Sequence, residues 1–185
     1  MALPLSLLFP QTGATQTATS VTQTLAPGST LLIETNGGSS SVTCSARLTT
    51  TGQVSAFAIF QILSTGQEAV VPLETRASKS FVLAYDNTNG LATGLALANL
   101  SAQAAAVPVL VRDDMGATVA HGQIQLAGNG HTQFMLADTV QGFPATAGKR
   151  GTIEFGTPSG GRISALGIRA VTATNVITTI PVLAR

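Results

Sequence analysis

Apolar residues alternate with small polar residues along most of this chain, at the two-residue period of β-strands. The stretch 54–60, VSAFAIF, is apolar at both alternating positions, which predicts a strand covered on both faces. Clusters of Gly, Ser, Thr, Asp and Pro interrupt the chain about every 8–12 residues, a spacing typical of β-sandwiches and barrels. Only 136–143, LADTVQGF, favours a helical turn, with Asp138 as its cap. The pattern predicts an all-β fold of antiparallel strands.

The stretch 112–116, RDDMG, is the clearest turn, because it joins two strand-like stretches, VPVLV and ATVAHGQIQL. Asp is favoured in turns because its side chain accepts hydrogen bonds from nearby backbone amides. Gly116 suits the left-handed conformation that closes a three-residue hairpin with a bulge. We therefore interpret Asp113 and Asp114 as turn residues, with an acid–base pair as the alternative.

Two distant parts of the chain repeat each other at a fixed offset. Gly52, Ser55 and Pro72 each have an identical residue 109 positions later, and the offset holds from 52 to 72 without gaps. Upstream, LAPGSTLLIE from Leu25 resembles LAGNGHTQFML from Leu126 at a slightly shorter offset. This pattern indicates an internal duplication whose period is too long for a solenoid repeat.

The two copies have unequal lengths. Ahead of Leu126 the second copy contains FVLAYDN, ATGLALANLS and AAVPVLVRDDMGATVAHGQIQL, whereas only 24 residues precede Leu25. Roughly two strands of ordinary length are missing from the first copy. We therefore expect two related antiparallel β-sandwich modules of the immunoglobulin or fibronectin type. The first, at 1–77, is reduced, and the second, at 78–185, is complete.

Several of these stretches resemble a known kind of module. FVLAYDNTNGLATGLALANLS, GTIEFGTPSGGRISALGIR and TTIPVLA, with LLFPQ and SAFAIFQ in the first copy, are similar to paired β-sandwich modules of secreted bacterial multidomain proteins. Such modules are common near the C-terminus and have no assigned activity. The resemblance implies an extracellular or cell-surface location, with the signal peptide not present in this chain. The first copy departs from the family pattern, which has a hairpin soon after the LLFPQ-like segment.

Charge narrows the choice of partners. Only 9% of the 185 residues are charged, against roughly 25% in ordinary soluble domains, and the net charge is +1. No basic stripe is present, so we expect no nucleic-acid binding. The apolar start, MALPLSLLFPQTG, is too short to cross a bilayer, so we expect no membrane span. Low charge does little to keep copies apart, which favours self-association or a protein partner.

Few residues offer site chemistry. His121 and His131 are the only histidines, and without a third ligand at a supporting spacing we favour polar strand residues over a metal site. The stretch 85–90, YDNTNG, hints at a calcium loop but lacks the alternating ligands and the distal Glu. Cys44 is interpreted as a small buried apolar residue rather than a reactive thiol.

The remaining motifs are weak. The stretch 128–130, GNG, is followed by a strand pattern, whereas a dinucleotide site needs a helix there. The stretch 99–101, NLS, matches a glycosylation sequon. No G-x-S-x-G is present, so we expect no catalytic residues, no cofactor and no metal, and predict that the chain is not an enzyme. Trp is absent and Tyr85 is the sole tyrosine, which weakens a glycan site built on ring stacking.

These observations favour a non-enzymatic extracellular structural or adhesion module that self-associates through strand addition. The alternative is a glycan- or polymer-binding accessory module of a secreted protein. The uncharged segment Leu3–Phe9 is expected either to fold back within its own chain or to add to the open edge of a neighbouring molecule. Pro72 and Pro181 are expected at equivalent places near a strand edge or bulge. The core is expected to include four residues of the repeated strands: Phe57, Ile59, Leu166 and Ile168.

Overall fold

A computed structural model of the chain describes residues 2–9, 17–34, 45–62, 64–174 and 176–185, with residues 2–9 and 17–20 described by their backbone. The chain divides into two compact units, Met1–Ala56 and Phe57–Arg185. Within the described residues the regular structure is β-strand apart from one turn of 3-10 helix, Pro144–Thr146, and all strand pairs are antiparallel. The predicted all-β class is confirmed.

The first unit contains a three-stranded antiparallel sheet. Its strands are β1 (Ala2–Phe9), β2 (Thr17–Thr24) and β3 (Ser45–Leu48), in the order β2-β1-β3. The uncharged segment Leu3–Phe9 therefore lies in the central strand and pairs with β2 on one side and β3 on the other. Of the two arrangements expected for this segment, the structure has the one that folds back within the chain.

The second unit contains two larger sheets and a hairpin. The hairpin pairs β4 with β5, the four-stranded sheet has the order β10-β7-β12-β13, and the five-stranded sheet has the order β14-β6-β11-β8-β9. The strands run as follows: β4 Phe57–Ile62, β5 Gln67–Pro72, β6 Ser80–Asp86, β7 Leu91–Asn99, β8 Ala105–Asp113, β9 Thr118–Leu126, β10 His131–Met135, β11 Arg150–Gly156, β12 Ile163–Val171, β13 Val176–Ile180 and β14 Leu183–Ala184.

One apolar cluster fills the space between these two sheets. Phe81 and Phe155 lie directly opposite each other on neighbouring strands, and both are fully buried. From the five-stranded sheet Leu83 reaches Gly167 of the four-stranded sheet, where an added Cβ would lie 2.3 Å from Leu83 Cδ1. Each fully buried Phe or Leu contributes about 1.5–3 kcal/mol relative to exposure. Two antiparallel sheets that share a core form a β-sandwich.

The turn chemistry expected from the sequence is present. Asp113 Oδ1 accepts hydrogen bonds from the amides of Met115 and Ala117. Gly116 has a φ of 84°, in the left-handed region, and the register of β8 against β9 shifts at Arg112. The predicted hairpin with a bulge is therefore confirmed.

Asp138 caps a turn, as predicted. Its Oδ1 accepts hydrogen bonds from the amides of Val140 and Gln141, each over 2.8 Å. These amides, with that of Gln141 first, hold the pKa of the Asp138 carboxyl below its usual value. The 3-10 turn itself begins only at Pro144.

The repeated hairpins share one register. Ala58 lies opposite Val71 in the first hairpin, and Gly167 lies opposite Ile180 in β12–β13. Each pair from Ala58 to Ile62 recurs at the same offset in the later hairpin. Pro72 ends β5 and Pro181 directly follows β13, an edge strand, which confirms the placement expected for both prolines near strand edges. The shared register is what the duplication hypothesis requires.

A second correspondence was not detected in the sequence. The β1–β2 hairpin sets Pro4 opposite Thr22, and β8–β9 sets Pro108 opposite Gln123. The order β2-β1-β3 likewise matches the order β9-β8-β11. Sequence comparison at a single offset missed this match because the offset differs between the strands. Under this correspondence no described strand of the first unit matches β6 or β7.

Candidate functional site

One face of the β4–β5 hairpin is apolar and open to solvent. Antiparallel pairing sets Phe57 opposite Pro72 and Ile59 opposite Val70, so the four side chains share one face. Phe57 is 68% exposed, Ile59 56% and Val70 48%. We call these four residues the interaction face. Clustered exposed apolar side chains mark interaction sites, whereas single ones are ordinary.

The core assignment of the repeated strands was wrong. Phe57 and Ile59 are exposed, and Leu166 and Ile168 are only partly buried. In β12 the alternate residues that begin at Ile163 point into the core, which leaves Leu166 and Ile168 on the other face. Because both faces of the strand are apolar, its alternation did not reveal which one points inward.

The hairpin also has an open edge. Within the described ranges β4 pairs with β5 and with no other strand. On the far side of the hairpin Thr179 Oγ1 of β13 donates a hydrogen bond to the Val70 carbonyl oxygen over 2.7 Å. The sequence of β4, FAIFQI, has neither a charge nor a Pro, the residues that usually guard an edge strand. Unpaired backbone groups and apolar side chains thus occur together on one hairpin.

A second candidate is a cleft of about 260 Å³ between residues 76–79 and 157–163. Three cations line it, namely Arg76, Lys79 and Arg162, and we call it the basic cleft. Among the ion pairs of the described residues, neither Lys79 nor Arg162 has a partner. The basic cleft therefore combines positive charge with a concave surface.

Glu74 offsets part of the charge at the basic cleft. Arg76 Nε donates a hydrogen bond to Glu74 Oε1 over 2.9 Å. This hydrogen bond from the guanidinium holds the pKa of the Glu74 carboxyl below its usual value. The net positive charge of the cleft consequently rests on Lys79 and Arg162.

The loop after β6, which hinted at a calcium site, satisfies its polar groups internally. Asp86 Oδ1 accepts hydrogen bonds from the amide and the hydroxyl of Thr88, over 3.0 and 2.7 Å. The Thr88 hydroxyl lowers the pKa of the Asp86 carboxyl. Asn87 Oδ1 accepts from the Thr93 amide, and its Nδ2 donates to Thr146 Oγ1. Turn formation accounts for this loop sequence without a cation.

The adjacent carboxylates Asp113 and Asp114 have separate structural partners. Asp113 organises the β8–β9 turn, as described above. Asp114 Oδ2 accepts a hydrogen bond from Arg150 Nε over 2.7 Å, within an ion pair. These contacts favour the turn interpretation over an acid–base pair.

The two histidines lie in different sheets. His121 is in β9 of the five-stranded sheet and His131 is in β10 of the four-stranded sheet. Among the described residues no three His, Cys, Asp or Glu side chains form a group that could hold a metal ion. Cys44 lies outside the residues that the structure describes.

The side chain of Asn99, the acceptor of the sequon, is buried in the folded chain. Asn99 is 2% exposed, and its Nδ2 donates to the carbonyl oxygens of Gln103 and Ala127. Its Oδ1 accepts a hydrogen bond from the Ser101 amide. Glycosylation requires a surface amide, so this sequon marks a structural residue in the native state.

The stretch 128–130 forms the turn between β9 and β10. A strand follows it, as predicted, and not the helix that a dinucleotide site requires. A glycine is required at position 128 for close packing of the backbone, because an added Cβ would lie 1.9 Å from the Ala102 carbonyl oxygen. The glycine at this turn therefore has a packing explanation.

The single tyrosine belongs to the core. Tyr85 is 3% exposed within the apolar cluster, and burial raises the pKa of its phenol. Its ring is therefore not open for stacking against a sugar.

Comparison with known proteins found no matching family model, no matching curated protein and no matching solved structure. The described part of the chain has no helix with the length and hydropathy that a membrane crossing requires. The interaction face and the basic cleft are thus the two candidate binding surfaces of the described residues.

Proposed function

We propose that this chain is a non-enzymatic structural or adhesion module of an extracellular or cell-surface protein, and that copies of it associate through the interaction face. The observation that carries this proposal is the exposure of Phe57, Ile59 and Val70 together on one hairpin. The resemblance of its strands to modules of secreted bacterial proteins supports the location.

Physical chemistry supports association through this face. Removing apolar surface from water stabilises a complex by about 25 cal/mol per Å², before the costs of association. Aromatic and aliphatic anchors surrounded by polar residues supply most of the binding energy in ordinary interfaces. A net charge of +1 provides no long-range repulsion between copies. The interaction face therefore suits an interface between identical chains.

Sedimentation velocity over a range of concentrations tests the proposal. Wild-type chain is expected to associate as its concentration rises. Ile59→Asp places a charge in the interface and is expected to raise the dissociation constant at least tenfold. Met115→Asp is the matched control, because Met115 is 87% exposed in the β8–β9 turn, away from this face. A wild-type chain that stays monomeric, or an Ile59→Asp chain that associates equally well, would refute self-association through this face.

The second candidate function is binding of an anionic glycan or other anionic polymer, and the basic cleft favours it. Binding of dextran sulfate and of neutral dextran is compared by titration calorimetry. Anionic dextran is expected to bind with an affinity that falls as salt rises, because exposed charges are screened. The double variant Lys79→Ala/Arg162→Ala is expected to lose this binding. Arg47→Ala is the control, because it removes an exposed cation of β3 that does not line the cleft. Equal binding by the double variant would remove this candidate.

A further inference from the structure

The second unit shows which strand pairs with the edge that corresponds to the open edge of β4. β12 lies between β13 and β7 in the four-stranded sheet. The counterpart of β12 in the repeat is β4, and the counterpart of β13 is β5. Within the described ranges β4 pairs with β5, but no strand pairs with it in the way that β7 pairs with β12. The open edge of β4 is therefore the edge at which β12 receives β7.

The elements that depend on β7 differ between the two copies. Residues 163–166 of β12 pair with β7 but not with β13. Their counterparts are residues 54–57, of which only Phe57 lies in a strand. β10 pairs with β7. At the offset that relates Leu25 to Leu126, the counterpart of β10 is 30–34, which is not a strand. Leu32 in that segment is 78% exposed. Among the described residues, the counterparts of the elements that β7 orders in the second unit are therefore mostly not strands.

We infer that the open edge of β4 accepts an uncharged strand from a partner protein, with the side-chain pattern of β7 and the antiparallel register that β7 has with β12. The inference rests on the proposed role as an interaction module and names the kind of segment that the module binds. Main-chain hydrogen bonds to an exposed edge supply the affinity in such strand addition, and alternate side chains supply the specificity.

The chemistry of β7 defines the occupant. On the face that β7 shares with Leu166 and Ile168 its residues are small, and Ile168 lies opposite Gly94. An added Cβ at Gly94 would lie 3.1 Å from Met135 Sδ and 3.7 Å from Ile168 Cβ. Small residues thus leave room for large neighbours. Because Ile59 takes the place of Ile168, the occupant needs small residues on this face and apolar residues on the other.

A second copy of the chain is a poor donor of this strand. β7 is held between β10 and β12, and Leu95 and Leu97 on it are buried in the core. Donating β7 would open the sandwich of the donor. A partner in which the strand is free donates it without this cost.

Peptide binding tests the inference on the full chain. The probe is a synthetic peptide of residues 89–100, NGLATGLALANL, with a lysine tail for solubility and a fluorophore for anisotropy. It is expected to bind and to slow hydrogen exchange at the amides of Phe57–Ile62. An Ala96→Pro peptide, which loses one N–H on the side of β7 that faces β12, and a scrambled peptide are expected to bind at least tenfold more weakly. Ile59→Asp in the chain is expected to weaken binding at least tenfold, and Met115→Asp to leave it unchanged.

A crosslink tests the register. Transfer of the β12–β7 register to β4 sets Gln61 opposite Ala92 of the peptide, as Ala170 lies opposite Ala92 in the chain. Directly opposite residues have Cα atoms about 4.5–5.5 Å apart, within the range for a disulfide. With oxidised glutathione as the oxidant, Gln61→Cys in a Cys44→Ser background is expected to form a disulfide with an Ala92→Cys peptide at least tenfold faster than with a Thr93→Cys peptide, in which the cysteine lies on the opposite face.

Three results would overturn the inference. The first two are no binding at a peptide concentration of about 1 mM and equal crosslinking by the two cysteine peptides. The third is protection of the β4 amides by added chain but not by peptide, which would make a second copy the occupant.

Failure of this inference is distinguishable from failure of the proposed function. If the peptide does not bind but association remains sensitive to Ile59→Asp, only the strand inference falls. If the peptide binds to a chain that stays monomeric, only the proposed self-association falls.

Discussion

Thr179 of β13 is hydrogen-bonded to Val70 of β5. Thr179 Oγ1 lies 2.7 Å from the Val70 carbonyl oxygen, and the two residues are 109 positions apart, the offset at which the two stretches of sequence match. In an isologous interface, where two copies meet about a two-fold axis, only positions on the axis contact their own equivalents. Inside one chain, this bond joins the two hairpins at the equivalent position of each.

Removing the Thr179 hydroxyl should loosen the first hairpin. Thr179→Val keeps the shape of the side chain and loses the bond to Val70, at a cost of about 0.5–1.5 kcal/mol for an ordinary hydrogen bond. We expect faster hydrogen exchange at the amides of β5 and an unchanged rate in β11. Thr178→Val, one residue earlier on an exposed position, is the control. Identical exchange in the two variants would show that the bond does not hold the hairpin.

Two isoleucines should differ in their contribution to stability. Ile153 in β11 is fully buried, whereas Ile168 in β12 is only partly buried. Ile153→Ala should lower the free energy of unfolding by about 2–5 kcal/mol, the usual range for a buried aliphatic side chain. Ile168→Ala should cost clearly less, because part of the side chain already contacts water. Denaturant titrations measure both, and equal losses would contradict the assigned faces of β12.

The fold class and the turns followed from the sequence because local chemistry determines them. Asp113 and Gly116 have the residue types that a bulged hairpin requires, and the turn forms as predicted. The shared register of the two hairpins agrees with the offset of 109 residues found in the amino-acid sequence alone. These features depend on neighbouring residues or on direct sequence identity.

The exposed hairpin face did not follow from the sequence, because burial depends on which strands are present. Phe57 has the same alternating context as Leu166, yet β12 has β7 beside it, whereas β4 has no such neighbour among the described strands. The basic cleft was missed for a similar reason. Arg76 and Arg162 are distant in sequence, and only the fold brings their segments to one surface.

Gly167 should tolerate no side chain. An added Cβ would lie 2.3 Å from Leu83 Cδ1 and 3.0 Å from the Ile180 carbonyl oxygen. Gly167→Ala should therefore destabilise the second unit by about 1–3 kcal/mol, as overpacking does. Gly122→Ala is a milder control, since its Cβ would meet the Phe143 ring at 3.3 Å. If Leu83→Ala fails to relieve part of the Gly167→Ala defect in a double-mutant cycle, the clash is not the cause.

Asp86 should contribute to stability in a pH-dependent way. The hydrogen bond from the Thr88 hydroxyl holds the pKa of the Asp86 carboxyl in the folded chain below its value in the unfolded chain. Its contribution is therefore complete above the ordinary Asp pKa of about 3.9 and is lost as the pH falls through the lower folded value. Thermal unfolding of wild type and Asp86→Asn between pH 7 and pH 2 measures this. The difference in melting temperature should shrink below about pH 4, and parallel curves throughout would contradict the prediction.

Deletion of residues 1–10 should unfold the sheet of the first unit and leave the second unit folded. β1 is the central strand, and its loss removes the pairing of β2 and of β3 at once. The core of the second unit draws its residues from Phe81 to Val182, so it does not use the deleted strand. Hydrogen exchange followed by mass spectrometry should show lost protection in β2 and β3 with wild-type protection in β8 and β11. Deletion of 183–185 is the control, because β14 is a short edge strand that pairs with β6 alone in the described part of the chain. Wild-type protection of β2 in the chain that lacks 1–10 would mean that β1 is not what holds this sheet together, and loss of protection throughout both units would mean that the second unit cannot fold without the first.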